Sequence, residues 1–400
     1  MPAKIDLDMF WIGSDNPDGR SFHGISTPRG GSYNSYLILD DKPALIDAAN
    51  KPFFSGYLRS LQSAIDPSEI AYIIINHAEP DHTGALTQLL TLCPKAVVVC
   101  SEKGKELLVA AYGLSCDFLV VSDGDEISLG KYTLRFIADP MVHWPETIMT
   151  YCVEKKALFS GDLFGTEISH EALFADEMQP FDDLTRDYFA LVMRPLLHSV
   201  KRAIDKAKGL ELSFLCPSHG PVYRKDIDKI IQRYEYLSGD PQEDKVLVVY
   251  ETIWSSNRDM AKKIACGIQD AGFCAEVYRL SESNMVELMA QALTSKGIIL
   301  GSLTILGGYH PLFETLFCFL KLNCQQAKKA AVFGTYGWSS AAVSKLTKRL
   351  EEDLKYDVLE KIDMRFGPKT PEDLNDLYGF GRSFVEKIKA DDPARKSDKG

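Results

Sequence analysis

Short apolar runs and amphipathic stretches alternate regularly along the second half of the chain. In the amphipathic stretches the apolar residues recur every three or four positions, which is the spacing of one helix face. Strands that alternate with helices of this length predict an α/β domain with a doubly wound, five-stranded parallel sheet. The predicted strands cover residues 246–250, 275–280, 297–301, 330–334 and 358–362. The predicted helices cover residues 258–271, 285–293, 312–320, 341–354 and 371–388.

The first half has a different pattern, in which short strands follow one another closely and fewer helices lie between them. This pattern predicts a layered α/β domain that is rich in antiparallel strands. The predicted strands cover residues 33–39, 44–48, 133–137, 150–153 and 157–160. The predicted helices cover residues 53–63, 84–92 and 103–112.

A polar segment at residues 237–244, with the sequence LSGDPQED, separates the two patterns. Exposed segments that contain Gly and Pro commonly join domains, and 400 residues are too many for one ordinary core. We therefore predict a first domain over residues 1–243 and a second over residues 244–390. The charged residues 391–400 are predicted to form a disordered tail.

Composition narrows the class of protein. The chain is 45% hydrophobic and 25% charged, as is typical of globular proteins. A net charge of −11 disfavours nucleic-acid binding, and no apolar run has the length of a membrane span. The start of the chain lacks a signal-peptide pattern, so we expect a cytoplasmic protein without a nucleic-acid or membrane partner. The nine cysteines include no C-x-x-C pair, which argues against a disulfide framework or a rubredoxin-type iron site.

Potential metal ligands follow four apolar runs at the points where strands are expected to end. The runs lead into the sequences NHAEPDH, ADPMVH, GD and CPSHG. Because the ends of neighbouring strands lie along one edge of a sheet, these side chains can converge. A single histidine in such a loop is more often an ordinary surface residue, but a cluster this dense favours a metal site. The candidate ligands are His77, Glu79, Asp81, His82, His143, Asp162 and His219.

The order H-x-E-x-D-H, followed by His, Asp and His, resembles the metallo-β-lactamase superfamily. Hydrolases of that superfamily have a histidine where Glu79 stands and usually bind zinc. A carboxylate is a harder donor than an imidazole nitrogen, so the replacement favours iron. A carboxylate such as Asp162 can also bridge two metal ions about 3.5–4 Å apart.

Three loops that carry hydroxyl residues follow the first, third and fourth strands of the second half, and the last two of them also contain glycine. The first loop leads into a helix, whose N-terminal N–H groups can hold a phosphate, although a plain capping turn also fits that loop alone. It contains neither G-K-[ST] nor G-x-G-x-x-G. The trio resembles the FMN site of flavodoxin, where relatives often have proline at the position of Leu303. The candidate FMN-binding residues are Thr252, Ile253, Trp254, Ser255, Ser256, Asn257, Ser302, Leu303, Thr304, Ile305, Gly307, Thr335, Tyr336, Gly337, Trp338 and Ser339.

The fusion of these two halves resembles the flavodiiron protein family over nearly the whole chain. The resemblance implies a metallo-β-lactamase-like αββα sandwich followed by a flavodoxin-like sheet, with two irons and FMN as cofactors. His82 is a ligand in some members of the family and displaced in others. The implied ligands are His77, Glu79 and His143 for one iron and Asp81 and His219 for the second, with Asp162 bridging the two.

The resemblance also implies an activity and partners. Members of the family reduce dioxygen to water or nitric oxide to nitrous oxide, and FMN relays electrons from a small donor such as rubredoxin. They form head-to-tail homodimers or dimers of such dimers. His23 and Tyr188 match positions that the family places near the irons, although simple packing explains each about as well. Phe189 stands where relatives often carry a second tyrosine.

Two other classes of protein remain open from the sequence. The first is a zinc-dependent hydrolase with an accessory flavodoxin domain, and the second is an electron carrier that uses FMN alone. Metal analysis separates the hydrolase from the reductase, because only the reductase requires iron. Six well-placed ligands argue against a simple carrier.

Overall fold

The computed structural model describes residues 2–22, 25–170, 172–323 and 327–392. The chain divides into two compact units, Met1–Ser238 and Gly239–Gly400. His23 and the part of the predicted tail at residues 393–400 lie outside the described residues. Within the described part of the chain, no helix has both the length and the apolar character needed to cross a bilayer.

The first unit contains sixteen strands and seven α-helices among its described residues. The strands are β1 (Ala3–Asp6), β2 (Met9–Trp11), β3 (Ser14–Asn16), β4 (Ser21–Phe22), β5 (Ile25–Ser26), β6 (Gly31–Tyr33), β7 (Tyr36–Ile38), β8 (Ala44–Ile46), β9 (Tyr72–Ile74), β10 (Val97–Cys100), β11 (Phe118–Val120), β12 (Glu126–Ser128), β13 (Thr133–Ala138), β14 (Ile148–Cys152), β15 (Ala157–Gly161) and β16 (Phe214–Pro217). The helices are α1 (Phe54–Ala64), α2 (Pro80–Thr83), α3 (Leu86–Leu92), α4 (Glu102–Tyr112), α5 (Asp182–Tyr188), α6 (Leu197–Lys208) and α7 (Ile227–Ser238).

Two large sheets form the centre of this unit. One has the strand order β1-β2-β7-β8-β9-β10-β11 and the other the order β12-β13-β14-β15-β16. Their facing sides share one core, to which Ile74 and Val99 contribute from the first sheet and Phe136 and Phe159 from the second. The outer side of the first sheet is covered by α1, α3 and α4. On the second sheet, Lys206 of α6 contacts the carbonyl oxygen of Ala138 at the end of β13.

The second unit contains five strands and five helices among its described residues. The strands are β17 (Glu243–Tyr250), β18 (Cys274–Arg279), β19 (Ser295–Leu303), β20 (Lys329–Tyr336) and β21 (Asp357–Arg365). The helices are α8 (Ser256–Asp270), α9 (Met285–Thr294), α10 (Leu312–Asn323), α11 (Ala342–Glu352) and α12 (Pro371–Asp391). The helix α12 includes Asp391, the first residue of the segment predicted to be disordered.

The sheet of the second unit is parallel throughout, in the order β18-β17-β19-β20-β21. Helices α9, α10 and α11 pack on one face, and α8 and α12 pack on the other. Tyr250 pairs with Gly301, and Leu303 pairs with Thr335, so the carboxyl ends of β17, β19 and β20 lie side by side. The three candidate FMN loops therefore leave the sheet at one edge.

The structure confirms the predicted fold class in both units. All ten elements predicted for the second unit are present, most of them extended by one to a few residues. In the first unit the sequence analysis missed α2, α5, α6 and α7 and the strands β1 to β5 and β10 to β12. The strands β1, β2 and β3 span only three or four residues each and are largely half-buried, so they show no clear alternation of apolar and polar residues.

Candidate metal centre and flavin site

The structure brings all seven candidate ligands together at the ends of four strands. They form two adjoining groups, within each of which the potential ligand atoms lie within 4.8 Å of one another. The ligands lie in the segments that follow the carboxyl ends of β9, β13, β15 and β16, and the short helix α2 carries two of them, Asp81 and His82. The first group contains His77, Glu79, His143 and Asp162, and the second contains Asp81, His82 and His219.

Asp162 presents one carboxylate oxygen to each group. Its Oδ2 lies 3.6 Å from Nε2 of His77 and 3.1 Å from Nε2 of His143. Its Oδ1 lies 3.2 Å from Nε2 of His82 and 3.4 Å from Nε2 of His219. This is the arrangement that a carboxylate bridging two cations requires, and it places His82 with the second group.

Local backbone geometry explains how these side chains reach the cluster. Glu79 is the N-terminal residue before α2, and Pro80 starts that helix with its φ angle already suitable. Asp81 and His82 therefore lie in this single turn, and Nε2 of His82 is 3.5 Å from Oδ1 of Asp81. Gly161 ends β15 with a φ of +59°, which permits the sharp turn that aims Asp162 at the cluster.

The cluster contains buried polar atoms that have no hydrogen-bond partner among the described residues. They include both carboxylate oxygens of Asp81, Nε2 of His82 and Oδ1 of Asp162. Buried polar atoms are normally hydrogen-bonded, so atoms of this kind that point at one another fit a bound cation. Three carboxylates among seven donors also suit iron better than an all-imidazole site would.

The charges of the cluster perturb one another strongly. Burial lowers the pKa of His143, but Asp162 and Glu79 outweigh it and raise the pKa to about 10. The pKa of His219 is likewise raised to about 9, by Asp81 and Asp162 against burial. Burial raises the pKa of Asp162, yet the neighbouring histidines hold it well below its usual range. Without a cation, protons on the imidazoles balance the carboxylates, and a bound metal would displace those protons.

Groups behind the ligands hold the imidazole rings in place. Nδ1 of His77 is hydrogen-bonded to Oε1 of Glu146 at 2.8 Å, and Nδ1 of His219 is hydrogen-bonded to the carbonyl oxygen of Ser32 at 2.7 Å. The sequence analysis did not identify Glu146. Its position three residues after His143, in the loop sequence HWPET, was the available signal.

Of the two residues predicted near the irons, only Tyr188 is described. Its hydroxyl donates to the backbone oxygen of Asp162 at 3.3 Å, and its ring centre lies 6.1 Å from that of His219. Phe189 is fully buried instead, with its ring 5.3 Å from that of Tyr234. Phe189 therefore places no hydroxyl beside this cluster.

The candidate FMN residues gather at the carboxyl edge of the second sheet. Trp254 and Trp338 are 88% and 94% exposed, and Leu306 between them in the chain is also fully exposed. Thr252 and Thr335 are buried at the starts of their loops. The other residues that are exposed or half-buried at this edge are Ile253, Ser255, Ser256, Leu303, Ile305, Gly307, Tyr336, Gly337 and Ser339.

Three of the predicted FMN residues brace the loops from within. Asn257 is fully buried, and its Nδ2 donates to the carbonyl oxygen of Glu251 at 2.8 Å. The hydroxyl of Ser302 accepts from the backbone N–H of His310 at 2.9 Å. The hydroxyl of Thr304 accepts from two backbone N–H groups at the start of α11, each at 3.1 Å. These side chains fix the loop shape rather than face outward.

The edge fits a flat, phosphorylated ligand. Large apolar side chains as exposed as Trp254 and Trp338 usually mark a surface that another molecule covers. Ser255 precedes α8 with a φ of +69° and makes no side-chain capping bond, so the start of the helix stays open. A helix start of this kind holds phosphate, and the indole rings can stack on a planar ring system.

Comparisons with known proteins identify a family for each half of the chain. Residues 32–220 match the family model described as ODP family beta lactamase, and residues 248–377 match the flavodoxin model. A nitric oxide reductase of Moorella thermoacetica is 32% identical over 399 residues, covering 97% of this chain and 99% of that protein.

Solved structures resemble the whole chain as well. Rubredoxin oxygen:oxidoreductase from Desulfovibrio gigas matches with a TM-score of 0.91 and 26% identity, covering 98% of this chain and 99% of that one. The flavodiiron protein from Giardia intestinalis matches with a TM-score of 0.91 and 28% identity, covering 98% of this chain and 97% of that one. The similarity therefore extends over both units rather than over one of them.

Proposed function

Because the chain belongs to the flavodiiron family, we propose that it is an oxidoreductase that reduces dioxygen to water, nitric oxide to nitrous oxide, or both. Two irons and FMN, when bound, supply the redox chemistry, with FMN delivering electrons to the metal pair. The observation that carries the proposal is the position of Asp162, whose two oxygens each face one group of buried ligands. Hydrolases of the alternative zinc class have a histidine where Glu79 stands, and the carboxylate found here favours iron.

We assign the ligands by group. His77, Glu79 and His143 hold one ion, and Asp162 bridges it to the other. Asp81 and His219 hold the second ion together with His82, whose Nε2 lies 3.2 Å from the bridging carboxylate. We assign residues 1–243 to the diiron domain and residues 244–390 to the FMN domain.

Two tyrosines form the wall of the cluster beside His219. The ring of Tyr33 lies 5.8 Å from the His219 ring, and that of Tyr188 lies 6.1 Å from it. Burial, together with the negative charges of Glu167 and Asp81, raises the pKa of Tyr33 to about 12. The Tyr33 hydroxyl therefore keeps its proton at neutral pH, and gas reduction consumes protons. We propose that these rings bound the pocket in which the gas is reduced.

FMN is assigned to the edge formed by the three loops of the second unit. The phosphate would be held at the start of α8, where the hydroxyls of Ser255 and Ser256 could donate to it. Trp254 and Trp338 would cover the ring system, and the left-handed backbone of Gly307, with a φ of +74°, would let its loop approach the flavin closely. The residues Asn257, Ser302 and Thr304 hold these loops in shape.

We propose that the protein works as a head-to-tail homodimer, or as a dimer of such dimers, supplied by a small donor such as a rubredoxin. The name of the Desulfovibrio gigas relative supports that donor. Each site lies at strand ends of its own unit, and a twofold axis can pair each flavin with the partner's irons in both directions at once.

Complementation tests the dimer. A His219→Ala chain and a chain that carries both Trp254→Ala and Trp338→Ala are refolded together, and the mixed dimers are purified with a different tag on each chain. Assayed at an FMN concentration that saturates the intact site but not the weakened one, the mixed dimer should be active and either parent should show little activity. Mixed dimers that keep their intact cofactors but stay inactive, or active protein that sediments as a monomer, would contradict the cross-subunit pairing.

Metal analysis and rapid mixing test the function itself. We expect close to two irons per chain, and we expect the reduced protein to reoxidise its flavin when it is mixed anaerobically with either gas. Comparing the two rates identifies the preferred substrate. Stoichiometric zinc without iron uptake on anaerobic reconstitution would instead support the hydrolase, and reoxidation by neither gas would reject the reductase.

A further inference from the structure

The two proposed metal positions have closely matched ligand sets. Each position has one carboxylate of its own, Glu79 or Asp81, and both share Asp162. Each also has two histidines, so the ligands alone give neither position the greater affinity. A difference between the positions must therefore come from the groups that surround the ligands.

A buried carboxylate stands directly behind His77. Oε1 of Glu146 lies 2.8 Å from Nδ1 of His77 and accepts a second hydrogen bond, also of 2.8 Å, from the backbone N–H of Ala78. Glu146 is only 4% exposed. Its backbone oxygen accepts from the Ser101 hydroxyl at 2.7 Å, and the Trp144 ring stands perpendicular to the His77 ring at 5.2 Å. Glu146 is thus fixed in place, and so is the His77 ring.

The second position has no equivalent carboxylate at hydrogen-bond distance from its described histidines. Nδ1 of His219 is bonded to a neutral backbone oxygen, that of Ser32, and the carboxylate of Glu167 lies 3.7 Å from it, beyond hydrogen-bond distance. Nδ1 of His82 lies 3.9 Å from Oδ2 of Asp47, which is too long for a hydrogen bond. The Asp47 carboxylate is engaged by the backbone N–H of Asn76 at 2.9 Å and the hydroxyl of Ser218 at 3.2 Å.

We propose that Glu146 is a positioning residue that makes the position at His77, Glu79 and His143 the tighter of the two, so that the first iron loads there. This inference rests on the proposed function. The carboxylate holds the proton on Nδ1, so that the Nε2 lone pair faces the metal, and its negative charge strengthens that nitrogen as a donor. Groups of this kind change metal affinity by about 10–100-fold. The position at Asp81, His82 and His219 fills second.

The chain offers a substitution that separates charge from geometry. Oε1 of Glu146 accepts both hydrogen bonds, so Glu146→Gln can keep both through its amide oxygen while it removes the charge. Glu146→Ala removes both. Asp139→Asn is a matched control, because Asp139 is equally buried in the same loop region, and no histidine ring nitrogen among the described residues lies within 4 Å of its carboxylate.

The measurement is an anaerobic Fe²⁺ titration of the FMN-loaded protein against a chromogenic chelator, made in backgrounds that leave one position. We expect His219→Ala to retain one tightly bound ion and His77→Ala to retain only a weak one. Adding Glu146→Gln should weaken the ion in the His219→Ala background by about 10–100-fold and change the ion in the His77→Ala background little. Asp139→Asn should be silent in both.

Different results distinguish a failure of this inference from a failure of the proposed function. If Glu146→Gln has the same effect in both backgrounds, or none, the charge of Glu146 does not distinguish the positions and the inference is wrong. A tighter ion in His77→Ala than in His219→Ala overturns the loading order without any use of Glu146→Gln, so poor folding of that variant leaves the test intact. Wild-type protein that binds no iron refutes the proposed function instead.

Discussion

The metal cluster and the flavin edge both lie at the carboxyl ends of strands, but they consist of different kinds of chemical group. The cluster consists of charged side chains that are nearly all withdrawn from solvent, with His77 fully buried. The flavin edge consists of loop backbone and of aromatic rings such as Trp338, which is 94% exposed. One site is a set of interdependent charges, and the other is a surface made of largely separate contacts.

The difference predicts how each site responds to change. Buried charges are stable only when they are neutralised and hydrogen-bonded, so the loss of one member leaves the others uncompensated. Loop contacts to a ligand each contribute a limited amount, and the loss of one leaves the rest in place. Substitutions of the clustered ligands should therefore have steep effects, and substitutions at the flavin edge should have graded effects.

The largest effect is expected for Asp162→Ala. Because each oxygen of Asp162 faces one ligand group, both ions should be lost, and gas reduction should fall by more than the ~10–100-fold typical of a group behind a ligand. FMN content should be unchanged, since its site is in the other unit. Iron analysis and flavin absorbance check both results, and normal turnover by this variant would contradict the ligand assignment.

Asp139→Asn is expected to increase the stability of the folded protein strongly, by an amount that depends on pH. Asp139 is a buried carboxylate outside the cluster, and burial raises its pKa to about 7 despite Lys206 and Arg202. The folded state thus holds the proton more tightly than the unfolded state, whose pKa is near 3.8. Wild-type protein loses stability as pH rises from about 4 to 7, by at most about 4 kcal/mol at 1.36 kcal/mol per pKa unit. The variant should keep this stability, because asparagine does not ionise.

The difference in stability between Asp139→Asn and wild type is measured from the thermal unfolding midpoints of the two holoenzymes at pH 5 and pH 8. The stabilising effect of Asp139→Asn relative to wild type should be larger at pH 8. Asp40→Asn is a control of opposite sign, because backbone N–H groups of Lys131 and Tyr132 lower the pKa of Asp40 against its slight burial. That control should lose stability at pH 8. Equal shifts of Asp139→Asn at both pH values would argue against a raised pKa.

Substitutions at the flavin edge are expected to weaken FMN binding in moderate steps. Trp254→Ala and Trp338→Ala should each weaken FMN binding by about 0.5–1.5 kcal/mol, the usual worth of one aromatic stacking contact, and the double variant by roughly the sum. Iron content should stay at the wild-type level. Flavin fluorescence titration measures the affinity, and unchanged affinity in the double variant would show that neither ring covers FMN.

The smallest effect is expected for Tyr188→Phe. The change removes a hydroxyl that donates to the backbone oxygen of Asp162 but leaves the ring beside His219. A neutral hydrogen bond contributes about 0.5–1.5 kcal/mol, so stability should fall only slightly and iron content should stay the same. If gas reduction nevertheless falls sharply, as steady-state rates would show, the hydroxyl has a direct part in the chemistry.

The sequence allowed different degrees of prediction in the two units. In the second unit the strands are long, the three central ones are buried and the helices are amphipathic, so all ten elements predicted from local periodicity are present. In the first unit α6 was missed although Leu197, Val200 and Ala203 have helical spacing. The short strands β1 to β3 carry too few buried residues for any periodic signal.

The sequence by itself determined which residues carry the chemistry. The motif H-x-E-x-D-H, the later His, Asp and His, and three hydroxyl-containing loops after strands are all local features, because each depends on residue type at the end of an apolar run. Only the tertiary structure decided how they are used. It turned the two oxygens of Asp162 to different groups, placed His82 in the second group and turned Asn257 inward. It also set Glu146 behind His77, 69 residues away in the chain. Contacts of this kind depend on how distant strand ends pack together, and no spacing within the sequence encodes that directly.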